Sequence, residues 1–367
     1  MQLARVVLVL AVLMAGCFPI ELDVARDGKI LIPRQEGFFA LDVTTGKMER
    51  VYNLPGGNPI FARYSPSGTE MVAVTESDGK MMGKSHVLTL VTLSTGASRV
   101  LYSGSNTTYA RWSPDGQYIS LSRIAQHKTP PLEENLPETT LIPIRGGAPK
   151  LLASNTSALH RWFPDSEALL IFQIEKKENN VYRGTITALE IASGKGKPLA
   201  SVLGSQGVFF DLSPDGTTVL FIAKAAGPPG ARLQSEKERL FELNIPKRTI
   251  RAVKERAKYA IWSPSGNWVL LGTDEKNGIL TLQVADRGFT QFRKIGSDAA
   301  SKVSEGIGFQ TSIYPGWLGE ETVFYLAKTA VYGTAGKNLE LVMVGTDGRN
   351  RWRYQATIDD AAARSAR

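Results

Sequence analysis

The sequence predicts an all-β protein, a single ring of four-stranded antiparallel blades, and three observations carry that expectation. A proline-centred turn recurs at Pro66, Pro114, Pro164, Pro214 and Pro264, at spacings of 48, 50, 50 and 50 residues. Short runs of β-branched and aromatic residues, the types that strands prefer, flank each turn. A second turn closes on glycine further along the repeat, at Thr44-Thr45-Gly46, Ser94-Thr95-Gly96 and Ala192-Ser193-Gly194. Self-similarity at a fixed period of tens of residues is the mark of a repeat architecture.

Each repeat opens with a short strand: Phe61-Ala62-Arg63-Tyr64, Tyr109-Ala110-Arg111-Trp112, Leu159-His160-Arg161-Trp162 and Tyr259-Ala260-Ile261-Trp262. A hairpin turn follows, as in Ser113-Pro114-Asp115-Gly116. There proline presets φ, the aspartate accepts backbone hydrogen bonds, and glycine takes the positive φ that closes the turn. A second strand comes next, such as Tyr118-Ile119-Ser120-Leu121 or Val219-Leu220-Phe221-Ile222. A third strand leads into the Thr-Gly turn, and an outer strand such as Arg99-Val100-Leu101-Tyr102 completes the unit. Four antiparallel strands in a repeat of this length make a propeller blade.

A degenerate copy, Trp317-Leu318-Gly319-Glu320-Glu321, extends the series at its end. At the start, Asp27-Gly28 is the turn of a further blade, with Glu21 to Ala25 as its inner strand and Ile30-Leu31-Ile32 as its second. The count is then seven, and residues 20 to 356 divided by seven give about 48 per blade, matching the proline spacing. Six blades with a strand exchanged between the ends is the alternative arrangement. The motifs resemble the TolB-type, WD-like propeller repeats over nearly the whole chain beyond the leader, and the resemblance implies a β-propeller.

The leader has a short positive start at Arg5, an unbroken apolar stretch from Val6 to Met14, then Ala15, Gly16 and Cys17. The apolar stretch is shorter than the roughly 20 residues that cross a bilayer as a helix, and the pattern is that of a signal peptide. Leu13-Met14-Ala15-Gly16-Cys17 resembles the bacterial lipobox. That resemblance implies cleavage before Cys17, lipidation of its thiol and acylation of the new N-terminus. Several acyl chains anchor a protein stably where one does not. The expected organisation is a signal peptide at 1–16, a seven-bladed propeller at 17–356 and a tail at 357–367. Phe18 stands where, under the proteobacterial sorting rule, an aspartate would retain the protein at the inner membrane. The expected location is therefore the cell envelope, at the outer membrane facing the periplasm. Cys17 is the only cysteine, which excludes an intrachain disulfide.

A content of 43% hydrophobic residues excludes a disordered chain. The net charge of +8 comes from 43 basic and 35 acidic residues without a dense basic arm, so no nucleic-acid partner is expected. His86, His127 and His160 make no metal-ligand spacing with one another. Phosphate-cradling loops and nucleophile elbows are missing from the sequence. No metal, cofactor or catalytic residue is expected. His160, in an inner strand, reads as a satisfied core histidine. Trp112, Trp162, Trp262 and Trp317, each beside a hairpin, read as packing between blades rather than as sugar-stacking platforms.

Two groups remain as candidate binding residues. Arg63, Arg111 and Arg161 share one repeat position, which Asp211 holds in the next repeat. They form either a basic arc near the central channel, able to hold an anion, or ion pairs between blades, for instance with Asp115, Asp165 or Asp215. The second group lies in three insertions: Gln126–Thr139, with Glu133 and Glu134; Ala225–Glu238, with Arg232 and Lys237; and Ser297–Thr311. All three belong to loop classes that leave one face of a propeller, neither of the first two is expected to supply a blade strand, and long loops on a rigid scaffold are where function concentrates. The sequence favours a membrane-anchored platform, tethered through Cys17, that binds a protein or an envelope polymer. The rival is a hydrolase or lyase acting on a glycan or small molecule at the channel mouth.

Overall fold

Seven antiparallel sheets form in chain order, each from consecutive strands. The computed structural model describes residues 20–356 apart from 22, 26, 35–36, 54–57, 77–84, 106, 125–135, 179–180, 205–207, 275–279, 300–312, 327–338 and 350–351. The first blade uses Asp23–Val24, Lys29–Arg34, Gly37–Asp42 and Met48–Asn53. The seventh uses Gly316–Leu318, Thr322–Leu326, Leu339–Gly345 and Trp352–Ala356. Each end blade is built from its own end of the chain, which decides for seven blades over six with an exchanged strand.

Closure of the ring therefore relies on contacts other than a shared blade. Ile20–Glu21 runs parallel to Ile313–Tyr314, just ahead of the inner strand of the seventh blade. Ile30, Ile32 and Leu41 of the first blade share an apolar cluster with Phe324 and Met343 of the seventh. The inner strand expected at Glu21 to Ala25 is accordingly shorter, with Ile20–Glu21 given over to this seam.

The turns explain why the repeat is so regular. In the third blade, Ser113 Oγ donates to Asp115 Oδ1 (2.5 Å) and accepts from Tyr118 N (3.0 Å), while Gly116 sits at φ 72°. The fifth blade repeats this with Ser213, Asp215 and Gly216. Serine, aspartate and glycine each fill one geometric need of the same hairpin. Pro66, Pro164 and Pro214 in turn lie nearest the turn glycines Gly116, Gly216 and Gly266 of the next blades.

The tryptophans do pack between blades. Trp112, Trp162, Trp262 and Trp317 are all buried. Three also stitch blades through the indole N–H, which donates to the preceding blade: Trp112 to Arg63 O (3.1 Å), Trp162 to Arg111 O (3.4 Å) and Trp317 to Ile261 O (3.1 Å).

The fourth blade departs from four strands. Its second and third strands, Ala168–Glu178 and Val181–Glu190, run 11 and 10 residues, against 7 for Glu70–Glu76 and Tyr118–Ile124 in the two blades before it. Among the described residues these are the two longest strands. A fifth strand, Ala225–Gly227, pairs antiparallel with the outer strand Gly196–Gly204 through Leu203↔Ala225, Val202↔Ala226 and Ser201↔Gly227. This corrects the expectation that the insertion at Ala225–Glu238 contributes no strand. The outer strand of a blade offers an unpaired edge, and small residues such as Ala225 and Ala226 can lie flat against it.

Candidate functional site

The turn of the first blade, where Ala25 N–H donates to Lys29 O and Gly28 N–H to Ala25 O, matches the turn at Ser65 to Glu70. That match places Asp23 at the repeat position of Arg63. The seven inner strands then carry, in order, Asp23, Arg63, Arg111, Arg161, Asp211, Ile261 and Gly316. Three arginines in a row are bounded by an acid on each side.

Both acids tie their blade to the next. Asp23 Oδ2 accepts from Tyr64 N (2.7 Å), and Asp211 Oδ2 accepts from Trp262 N (3.0 Å). The other oxygen of Asp211 takes Arg161 Nε at 2.6 Å, with both residues buried. Arg161 Nη1 and Arg111 Nε both donate to the hydroxyl of Tyr109, and both guanidinium groups stand over its ring. Arg63 lies over the ring of Phe61. An ion pair this deep returns little net stability against desolvation, but leaving either partner alone is costly.

Arg111 and Arg161 thus enter a blade-to-blade network whose acid is Asp211 rather than Asp115, Asp165 or Asp215, while Arg63 stays over Phe61 of its own strand. Those three serve their own turns: the Oδ1 atoms of Asp115 and Asp165 accept from Gln117 N and Glu167 N. Asp215 also meets Arg287 at 2.5 Å. Burial raises its pKa, but hydrogen bonds from Ser213 and Arg287 outweigh this and hold the carboxyl well below the usual range. His160 is fully buried, with Nε2 at 2.7 Å from Ser120 Oγ and Nδ1 at 3.0 Å from Ser122 Oγ, and its ring meets Tyr109 edge-on. The satisfied-core reading of His160 holds.

The two faces of the disc differ. The turns joining first to second and third to fourth strands emerge on one side. The second-to-third and blade-to-blade connections emerge on the other, here called the loop face. Of the three insertions, Ala225–Glu238 is described throughout. Lys224 N–H donates to Leu203 O, a turn at Pro228 to Ala231 follows, and Gly230 N–H donates to Ser201 Oγ (2.9 Å). Beyond it Arg232 and Lys237 are exposed, while Glu236 pairs with Arg239 and Glu238 with Lys258. Glu133 and Glu134 lie outside the described residues, as does Cys17 with the leader. Thr139 belongs to the strand Pro137–Pro143, and Ser297 to the strand Phe292–Ala299, so both of those insertions are shorter than expected.

The long fourth-blade hairpin adds residues that sequence reasoning missed. Arg183 pairs across to Leu203, which pairs on its other side with Ala225. Lys176 and Arg183 therefore stand beside Lys224, where the insertion that carries the exposed Arg232 and Lys237 begins. The signal was available in the Asn179-Asn180 pair, a turn dipeptide set inside an unusually long strand-like run.

A shallow cleft of about 210 Å³ between the sixth and seventh blades is lined by Trp268, Val284, Gln291, Phe292, Arg293 and Thr346. It is smaller than the roughly 300–1,000 Å³ of small-molecule sites. Among the described residues, no three His, Cys, Asp or Glu side chains are placed to hold a metal ion.

No family model matches the sequence, and no characterised protein matches it by sequence. Solved structures share the fold. The β-propeller domain of the Trilobed protease from Pyrococcus furiosus, described as having an open velcro topology, is 14% identical, with a TM-score of 0.58 over 94% of this chain and 98% of that one. An oligogalacturonate lyase in complex with manganese is 15% identical, with a TM-score of 0.55 over 72% of this chain and 75% of that one. TolB from Acinetobacter baumannii is 12% identical, with a TM-score of 0.50 over 89% of this chain and 79% of that one. The fold is that of a TolB-like β-propeller. At such identities the likeness concerns fold alone, and one fold hosts many functions.

Proposed function

We propose that this protein is a membrane-anchored binding platform of the cell envelope, tethered by lipid on Cys17 and docking through its loop face. One observation carries the reading. Asp23, Arg111, Arg161 and Asp211 of the inner strands are engaged between blades, whereas Arg232, Lys237 and the fourth-blade hairpin carry charge at the outer part of the disc. Rigid scaffolds that gather charged loops on one face suit recognition of extended partners. The lipobox at Leu13 to Cys17 supports export and anchoring, and Phe18 supports an outer-membrane site facing the periplasm. The partner class is a protein or an envelope polymer.

Crosslinking in the native envelope tests this. Wild type is compared with an Arg232→Glu/Lys237→Glu variant, and the captured species are identified. The platform reading expects a partner captured by the wild type and lost from the variant. Equal capture by both would move the site to the short-turn face or to the Arg63–Arg111–Arg161 arc.

A further inference from the structure

We infer that the partner of the loop face is an anionic lipid surface, the headgroup layer of the leaflet that holds the acyl chains of Cys17. The inference rests on the lipid anchor of the reading above and assigns the basic corner of the loop face to the membrane, the protein or polymer partner taking the remainder of that face. The first observation is where the chain leaves the disc. Ile20–Glu21 runs parallel to Ile313–Tyr314, and both precede an inner strand, Asp23–Val24 in one case and Gly316–Leu318 in the other. Inner strands run from the loop face toward the short-turn face. Ile20 therefore lies at the loop-face end of this seam, beside the inner strands and not at the rim.

The second observation is the length of the tether. Cys17 lies three residues before Ile20, a span of at most about 10 Å when fully extended. The loop face cannot stand further than that from the headgroups at the point of attachment. At that point the gap is comparable with the Debye length of about 8–10 Å at physiological salt.

Charge is the third observation. The fourth-blade hairpin and the adjoining insertion present Lys176, Lys177, Arg183, Lys224, Arg232 and Lys237 on this face. Against these stand Glu175, which accepts a hydrogen bond from Thr185 Oγ1, and Glu178 on the same hairpin, and Glu236 and Glu238, which are paired with Arg239 and Lys258. Basic side chains within a Debye length of anionic headgroups are attracted to them. The tether selects the face, and the basic corner draws it down.

Single fluorophores on the lipidated full-length protein test the orientation. Arg232→Cys labels the loop face, and Lys195→Cys labels the third-to-fourth-strand turn of the same blade on the opposite face. The protein is reconstituted in vesicles of phosphatidylcholine with or without phosphatidylglycerol, and a headgroup-attached quencher is read out. The expected result is stronger quenching at position 232 than at 195 in both vesicles. Phosphatidylglycerol should widen the difference, and Lys176→Gln/Lys177→Gln/Lys237→Gln or 1 M salt, where the Debye length is about 3 Å, should remove that gain. Equal quenching at the two positions, or stronger quenching at 195, overturns the inference while the anchor stands. A gain that survives both neutralisation and salt overturns the electrostatic part. Peptide mass spectrometry of the same sample separates the other failure: an unacylated Cys17 overturns the anchor itself. Crosslinking of position 232 to a protein instead of lipid in the membrane-bound form makes the face a protein-docking surface.

Discussion

Alanine at four equivalent turn glycines dissects how the blades are held in register. Gly68, Gly116, Gly216 and Gly266 all sit at φ between 71° and 74°. A side chain in this left-handed region costs about 1–2 kcal/mol wherever it is placed. The surroundings differ. A Cβ at Gly68 meets nothing within 4 Å, and one at Gly116 has Pro66 Cδ at 3.9 Å, an ordinary contact. At Gly266 the distance to Pro214 Cδ is 3.2 Å, and at Gly216 Pro164 Cδ stands at 2.9 Å with Cγ at 3.2 Å. These prolines are rings fixed in the preceding turn and yield little. Overpacking of this kind adds about 1–3 kcal/mol. Gly68→Ala and Gly116→Ala should therefore lose about 1–2 kcal/mol, and Gly216→Ala about 2–5 kcal/mol, with Gly266→Ala between. Gly116→Val and Gly216→Val should keep the order at greater cost, since a β-branched residue is more strained at positive φ. Urea unfolding at constant m-value measures the series. Equal losses at Gly68 and Gly216 would refute the proline-on-glycine contact between consecutive blades. A variant that is stable but has lost partner binding would make the turns part of the working surface.

Asp211→Asn leaves the buried Arg161 without its counter-charge and should cost about 3–5 kcal/mol, whereas an Arg161→Met/Asp211→Leu double variant should cost less, as a double-mutant cycle by urea unfolding would read. Trp317→Phe removes the indole hydrogen bond to Ile261 O, but Trp262 Nε1 has no acceptor among the described residues. Trp317→Phe should therefore cost about 0.5–1.5 kcal/mol more than Trp262→Phe, in the same assay. In acid, the hydrogen bond from Thr44 Oγ1, with those from the backbone N–H groups of Thr44 and Thr45, holds Asp42 at about 2, below its ordinary 3.8. A folded-state pKa below the unfolded one means stability present above about pH 4 and lost as pH falls through about 2. Asp42→Asn should flatten that part of a urea-midpoint profile against pH. Cys17→Ser should release the protein from membranes or leave it unprocessed, as fractionation with immunoblotting would show.

What was legible in the sequence is what is local. Ser113, Asp115 and Gly116 complete one hairpin among themselves, so their recurrence counts blades without knowledge of what packs on what. The burial of the tryptophans followed from their fixed place beside that turn. Contacts between residues some fifty positions apart were less visible. Arg161 finds Asp211 across a blade interface, while Asp115 and Asp165, nearer in motif logic, turn back to their own backbones. The fifth strand at Ala225–Gly227 has only three residues and no alternation to announce it. It exists because the outer edge of the fourth blade is there to be covered. The long hairpin was hidden for a related reason: strand length was inferred from the repeat, and this blade exceeds it. The seam at Ile20–Glu21 and Ile313–Tyr314 joins the two ends of the chain, which no local pattern encodes.

The central claim is a propeller tethered to a membrane at Cys17, and the mature protein itself tests it most directly. The protein is extracted from washed membranes, and its N-terminal peptide is sequenced and weighed. The expected chain begins at Cys17 and carries covalently bound acyl chains. A chain that begins elsewhere, or a Cys17 with an unmodified thiol on a protein recovered in the soluble fraction, would contradict it.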